Sequence, residues 1–435
     1  MKVGFSQVDF TPSEGYMPGE FFPFYTADSY TRLLANAAAF TSDEGESVII
    51  ISVDCLNIST SHAQKMRAQI AAATSLPISH VMIAATHTHT GPSDHRPSGL
   101  APAEPDTGKR VEAKIVKAGI AAFEARVDAK LGTGKTVEKR LSFNRDCVMK
   151  DGSVVSIPGR AASENIVGYL GKVDYDVHVM RIDAPDGKVK GFIVNYANHP
   201  DNHKKRKFSA DYPGYLRKFL KEEYGEEVTV LFLNGACGDV NSFDYKNNTD
   251  DYNIEMAIPP EGIGRRLADT VIALNKSIDT DEASAEIKVV NAMMELNTRK
   301  PADWEMDLAR EVKAKVDALE EIPRHLEHSA LATLEYSPYK ATKTDVEMVA
   351  VKIGKWAIVT TPGELYTEIG LRIKEASPVE HTLISELTNG SVGYIPPDSV
   401  LGTTAYGGRY YAGTLGYGTA DTMVETAKKL LGKLV

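Results

Sequence analysis

The segment Ala84-Ala85-Thr86-His87-Thr88-His89-Thr90-Gly91-Pro92 sets two imidazoles two residues apart, where an apolar run gives way to a Gly-Pro turn. In an extended strand, side chains two apart leave the same side of the backbone, so His87 and His89 are expected to face one direction. Neutral imidazole binds zinc through one ring nitrogen at about 2.0 to 2.1 Å while a neighbouring group fixes the other. A satisfied pair of surface histidines is the plain alternative. A second apolar run, Gly191 to Tyr196, leads through Ala197-Asn198 to His199, and Pro200 stops the strand there. A third, Trp356 to Thr361, passes Pro362-Gly363 and reaches Glu364, where a helical pattern begins. Alone, such a carboxylate complements the positive end of a helix dipole. Beside two histidines it completes a His2Glu set with an open position, which is how catalytic zinc is held.

A fourth run ends in Asn234-Gly235-Ala236-Cys237-Gly238-Asp239-Val240-Asn241, a Gly-rich turn suited to close backbone approach. It lacks the spacing and the Lys-Ser/Thr of a P-loop, and Cys237 has no partner at a spacing that marks a nucleophile. A two-metal phosphoesterase built from Asp54, His87, His89, Asp239 and His199 is a further arrangement. Its expected Gly-Asn-His-Glu/Asp element is absent.

These residues need a scaffold, and the hydrophobic pattern supplies one. Near-continuous β-branched runs at 47–53, 81–85, 177–182, 191–196, 228–233, 346–353, 356–360 and 382–385 read as strands buried on both faces. Helical patterns at 61–73, 110–126, 212–224, 262–275, 364–375 and 420–434 alternate with them. The expected fold is α/β, a large mixed β-sheet core flanked by helices, with helices on both faces of the sheet. Ligand sites in such sheets open beyond the carboxyl ends of the strands, where His87, His199 and Glu364 fall. The charged pattern 303–321, bounded by Pro301 and Pro323, is expected to be a peripheral helical insertion near 301–323 within a single domain spanning 1–435. Any subdomain boundary falls within about 280–345.

With a net charge of -10, and Lys and Arg clustered only in the run 203–207, nucleic acid is an unsuitable partner. No apolar stretch approaches the roughly 20 residues that cross a bilayer, so no transmembrane segment is expected. The opening residues lack an apolar signal region, and Cys55, Cys147 and Cys237 form no disulfide framework, which points to the cytoplasm.

In order along the chain, Val8-Asp9-Phe10-Thr11-Pro12, Thr86 to Pro92, Phe143-Asn144-Arg145, His199, Gly238-Asp239-Val240, Pro362-Gly363-Glu364, Gly393-Tyr394 and Tyr411-Ala412-Gly413 resemble the motifs of the neutral/alkaline (non-lysosomal) ceramidase family, over its catalytic domain only. The resemblance implies a neutral-ceramidase-like catalytic fold and a zinc held by His87, His199, Glu364 and Tyr394. It also implies that His89, Arg145 and Tyr411 surround the scissile carbonyl, with Tyr410 competing with Tyr411. The implied activity is zinc-dependent hydrolysis of an amide (N-acyl) bond by a metal-activated water, with His89 the first choice of proton donor. Two departures from the family pattern bear on this: Asn241 stands where the family has Ser, and Ala412 where it has Glu. The chain also ends where the family continues into an immunoglobulin-like domain. A small soluble N-acyl or ester compound is therefore the expected substrate, with ester or lactone hydrolysis on the same metal site, or a non-catalytic metal- or ligand-binding homologue, as alternatives.

Overall fold

The computed structural model describes residues 1–17, 24–92, 105–158, 160–202, 207–247, 259–338 and 342–435. The run 203–206 lies outside these residues.

Seven consecutive apolar or small residues make Ser47–Val53 a strand with no solvent face. Ile49, Ile51 and Val53 pack against helices Thr60–Thr74 and Pro105–Glu124. Val48 and Ile50 point the other way, into a core shared with Leu231, Leu233, Val349 and Ile358. The same division recurs twice. Val177, Val179, Phe192 and Val194 meet helices Asp211–Tyr224 and Pro260–Asn275, whereas Met180, Ile182 and Ile193 turn inward. Met348, Ala350 and Val359 meet helices Thr367–Glu375 and Thr419–Gly432, whereas Val351 and Leu383 turn inward.

The α/β class holds, with a mixed β core flanked by helices. The layering differs from the expected single sheet with helices on both faces. Three sheets share one inner core, and helices cover only their outer faces. A continuous apolar run reports burial on both faces; it does not report whether a helix or another sheet does the burying.

Each sheet is antiparallel except for one parallel pair at its edge. These pairs are Ser47–Val53 with Val81–Ala85, Val189–Tyr196 with Thr229–Asn234, and Trp356–Thr360 with His381–Ser385. The pairs converge through polar stitches. Ser52 Oγ donates to the Phe232 carbonyl at 2.6 Å, Asn195 Nδ2 to the Leu233 and Ile384 carbonyls at 2.8 Å each, and Ile83 N–H to Asn389 Oδ1 at 2.9 Å. All three parallel pairs thus bring their carboxyl ends to one place.

The charged helix ends earlier than the sequence suggests, at Asp303–Asp317. A second helix, Arg324–Tyr336, follows Pro323 and packs on it through Ala309, Val312 and Ala330. The pair lies between strands Ile287–Asn297 and Lys343–Ile353, which are hydrogen-bonded neighbours.

Where the second and third sheets meet, His178 is 1% exposed, edge-on to Trp356 and His381 at 6.2 and 6.3 Å between ring centroids. Neither ring nitrogen has a hydrogen-bond partner, and Asp176 Oδ2 stands at 3.7 Å. Burial holds the pKa of His178 below the ordinary histidine value, with Lys374 adding to the effect and Asp176 opposing it. The folded protein therefore binds fewer protons than the unfolded chain once pH falls below about 6.5. Stability contributed here is present above that pH and is lost as pH falls toward the lowered folded value. Denaturant titrations at pH 7, 6 and 5 are expected to show a slope for the wild type that His178→Phe flattens, by up to about 1.4 kcal/mol per pH unit. Equal slopes for the two proteins would refute the assignment.

Candidate metal centre

Strand Val81–Ala85 ends before the first histidine of its motif. Thr86 N–H donates to the Val53 carbonyl and His87 N–H to the Cys55 carbonyl, while His87 takes a left-handed backbone with φ of +71°. For a non-glycine residue that conformation costs about 1–3 kcal/mol, held by the surrounding hydrogen bonds. His87 and His89 do come together, with ring centroids 4.9 Å apart, but the turn unites them rather than strand alternation.

His87 Nδ1 lies 2.8 Å from the Leu56 carbonyl and His199 Nδ1 lies 3.0 Å from the Cys237 carbonyl. A carbonyl only accepts, so both Nδ1 atoms carry the proton and both Nε2 atoms are left for coordination. Those two Nε2 atoms face each other at 3.0 Å. Glu364 Oε2 stands 3.3 Å from His87 Nε2 and 3.5 Å from His199 Nε2, buried and without a hydrogen-bond partner. Tyr394 Oη is 3.5 Å from His199 Nε2, and His89 Nε2 is 3.4 Å from His87 Nε2. Ligands at about 2.0 to 2.1 Å around a tetrahedral zinc are separated by roughly 3.3 to 3.4 Å. The donor set and its spacing fit a divalent cation, with His87, His89 and His199 all offering nitrogen to the same point.

Electrostatics agree. Burial works against a charge on His87, but Glu364 beside it keeps its pKa above the ordinary value. Burial likewise disfavours the Glu364 carboxylate, and His87, Tyr394 and Arg145 reverse that. His199 is held well below the ordinary value by burial and by Arg145, and His89 is pushed down to about 3 by burial and by His87.

Glu364 does not open a helix. Glu364–Leu365 pairs in parallel with Tyr394–Ile395, and the register sets Glu364 directly beside Tyr394. The helix begins at Thr367, whose N–H and hydroxyl donate to Asp239 Oδ1 at 2.8 and 2.7 Å. A Cβ on Gly238 would lie 2.5 Å from the Glu364 carbonyl oxygen, which explains the glycine before Asp239. Asp54 is likewise committed elsewhere, to Arg217 and to the Leu34 N–H. The two-metal arrangement therefore lacks both of its aspartates.

Arg145 follows strand Phe143–Asn144, which pairs with Val240–Asn241, and donates to the Gly238 carbonyl at 2.7 Å. Its guanidinium lies 5.3 Å from the ring centres of both Tyr394 and Tyr406. Tyr411 stands one ring further out, 5.7 Å from Tyr406. Tyr410 turns away, giving its hydroxyl to the Tyr336 carbonyl at 3.2 Å. Asn241 binds the Tyr245 hydroxyl, and Ser242 accepts from Asn198. The Cys237 thiol donates to Glu386 Oε1 at 2.8 Å, and burial followed by Glu386 raises its pKa well above the usual thiol range, so it is no nucleophile.

Sequence reasoning missed Tyr406, Asp201 and Glu386. Tyr406 sits between Tyr394 and Tyr411; its only signal is a tyrosine before a Gly-Gly pair. Asp201 Oδ1, 3.8 Å from His89 Nδ1, follows the His-Pro stop by one residue. Glu386, pushed up to about 8 by burial, comes directly after a buried strand, as the other site residues do.

No protein-family model matches the chain, and no curated protein does either. Among solved structures, neutral ceramidase from Pseudomonas aeruginosa superposes with a TM-score of 0.72 at 17% identity, covering 99% of this chain and 74% of that one. A structure described as ceramidase complexed with C2 gives a TM-score of 0.72 at 16% identity, with the same coverage. Over nearly its whole length, this chain carries the fold of the neutral ceramidases.

Proposed function

We propose that this chain is a zinc-dependent hydrolase that cleaves an amide (N-acyl) bond with water. The carrying observation is the pair of His87 and His199 Nε2 atoms turned on each other at 3.0 Å beside the unpartnered Glu364 Oε2. Its setting on a fold shared with proteins named ceramidases supports the amide as the bond cleaved.

His87, His199, Glu364 and Tyr394 would hold the ion. When bound, zinc lowers the pKa of a coordinated water from 15.7 toward about 7 and polarises a carbonyl. Arg145, fixed by the Gly238 carbonyl and two tyrosine faces, supplies positive charge where the acyl oxygen becomes negative. Tyr411 is the outer hydroxyl donor to the same region. His89 Nε2, 3.4 Å from His87 Nε2, is placed to pass a proton to the departing amine nitrogen. Asp201, facing its Nδ1, steadies the charge gained meanwhile.

No helix among the described residues is long and apolar enough to cross a membrane. Three buried cysteines that form no disulfide suit a reducing compartment, and we place the enzyme in the cytoplasm acting on a small soluble amide.

Elemental analysis of the purified protein, paired with turnover of matched N-acyl and O-acyl compounds, tests this reading. About one zinc per chain is expected, with amide turnover that a chelator abolishes and added zinc restores. A protein that neither holds nor takes up zinc, or whose amide turnover survives chelation, overturns it.

A further inference from the structure

Between the helical pair and the segment carrying Tyr411 lies a small recess, open to solvent, lined by Trp304, Leu308, Ala330, Thr333, Arg409 and Tyr411. Glu305 also borders it, but its carboxylate is occupied by Arg299 at 3.1 Å and by the N–H groups of Ala302 and Tyr410 at 2.7 and 2.6 Å. Arg409 is half-buried and gives Nε to the Thr404 carbonyl at 3.2 Å. Its guanidinium also meets the Tyr411 hydroxyl, and among the described residues no carboxylate lies within ion-pair distance of it. A guanidinium stays charged at any working pH and presents a planar fork that matches a carboxylate. The recess therefore has a positive wall without a negative partner, beside an apolar wall formed by Trp304 and Leu308.

A row of tyrosine rings runs from the recess to the metal centre. Tyr411 touches Tyr406 edge-on, Tyr406 touches Tyr394 at 5.3 Å, and Tyr394 reaches His199. Resting on the amide-hydrolase reading, we propose that Arg409 forms a carboxylate subsite and that the substrate is an amide bearing an anionic group remote from the scissile bond. The recess is small and open, so it suits a charged end group rather than a long acyl chain.

The chain has two tryptophans, and Trp356 is buried at the sheet junction, so a fluorescence change on filling the recess reports Trp304. The zinc-loaded protein is titrated with hexanesulfonate, a poor zinc ligand, and with uncharged hexanol. The sulfonate is expected to bind at least tenfold more tightly. Arg409→Met should erase that preference, Arg409→Lys should keep part of it, and Trp304→Phe should remove the signal. Hydrolysis is then compared for 8-acetamidooctanoate, with its carboxylate on the amine side, and N-butylsuberamate, with its carboxylate on the acyl side, each against the analogue that ends in a methyl group. One anionic member is expected to show a KM at least tenfold lower than its neutral partner, an advantage lost in Arg409→Met. Equal binding of sulfonate and alcohol by the wild type, or a preference that survives Arg409→Met, overturns the subsite. Sulfonate selectivity without amide turnover sinks the hydrolase reading and leaves the anion subsite standing; amide turnover without anion selectivity does the reverse.

Discussion

Replacing His199 by alanine is expected to reduce zinc from about one per chain to less than a tenth and to lower amide turnover by at least 1,000-fold, a barrier increase of about 4 kcal/mol. The side chain is 1% exposed, its Nδ1 is fixed by the Cys237 carbonyl, and its Nε2 neighbours His87, Glu364 and Tyr394 at 3.0 to 3.5 Å. His89→Ala provides the contrast. If His89 handles protons, the variant keeps its zinc and loses turnover by roughly 100- to 10,000-fold, as expected for removal of a general acid–base. Loss of zinc from His89→Ala as complete as from His199→Ala would make His89 a ligand and displace Tyr394 from that role. Full zinc in His199→Ala would refute the site altogether.

The second large effect concerns stability. Asp54 follows strand Ser47–Val53 and is fully buried, and both its oxygens receive the Arg217 guanidinium, at 3.0 and 2.5 Å. The Leu34 N–H adds a bond at 2.9 Å. Arg217 belongs to helix Asp211–Tyr224, which covers the second sheet, so this pair clamps two sheets together. Removing one partner strands the other charge in the interior, and Asp54→Ala is expected to cost about 3–5 kcal/mol. Urea unfolding should show a lower midpoint with an unchanged slope. The double variant Asp54→Leu/Arg217→Met is expected to lose less than the two single changes added, because it leaves no orphaned charge. A single-variant loss below about 1 kcal/mol would mean that solvent reaches the pair.

Strand runs were legible because burial on both faces leaves no polar alternation, as in 47–53 and 356–360. His87, His199 and Glu364 were legible because each follows the end of such a run. What failed to show depended on contacts distant in sequence. Glu364 reads as a helix start until its pairing with Tyr394, thirty residues on, is known. Asp54 and Asp239 look like free ligands until Arg217 and Thr367 occupy them. Tyr410 and Tyr411 are identical in sequence terms; the helical pair separates them by accepting the Tyr410 hydroxyl at Tyr336. The second helix of that pair stayed hidden because Pro323 reads equally as a stop and as the residue that precedes a new first turn.

The convergence of three parallel pairs also governs when the centre can exist. His87 comes from the first sheet, His199 from the second, and Glu364 and Tyr394 from segments flanking the third. No sheet by itself assembles the set, and closing the loops between positions 87, 199 and 364 is among the most entropically demanding events available to this chain. A captured ion would therefore certify that all three parts of the polypeptide have found one another, so that zinc occupancy doubles as an assay of complete folding.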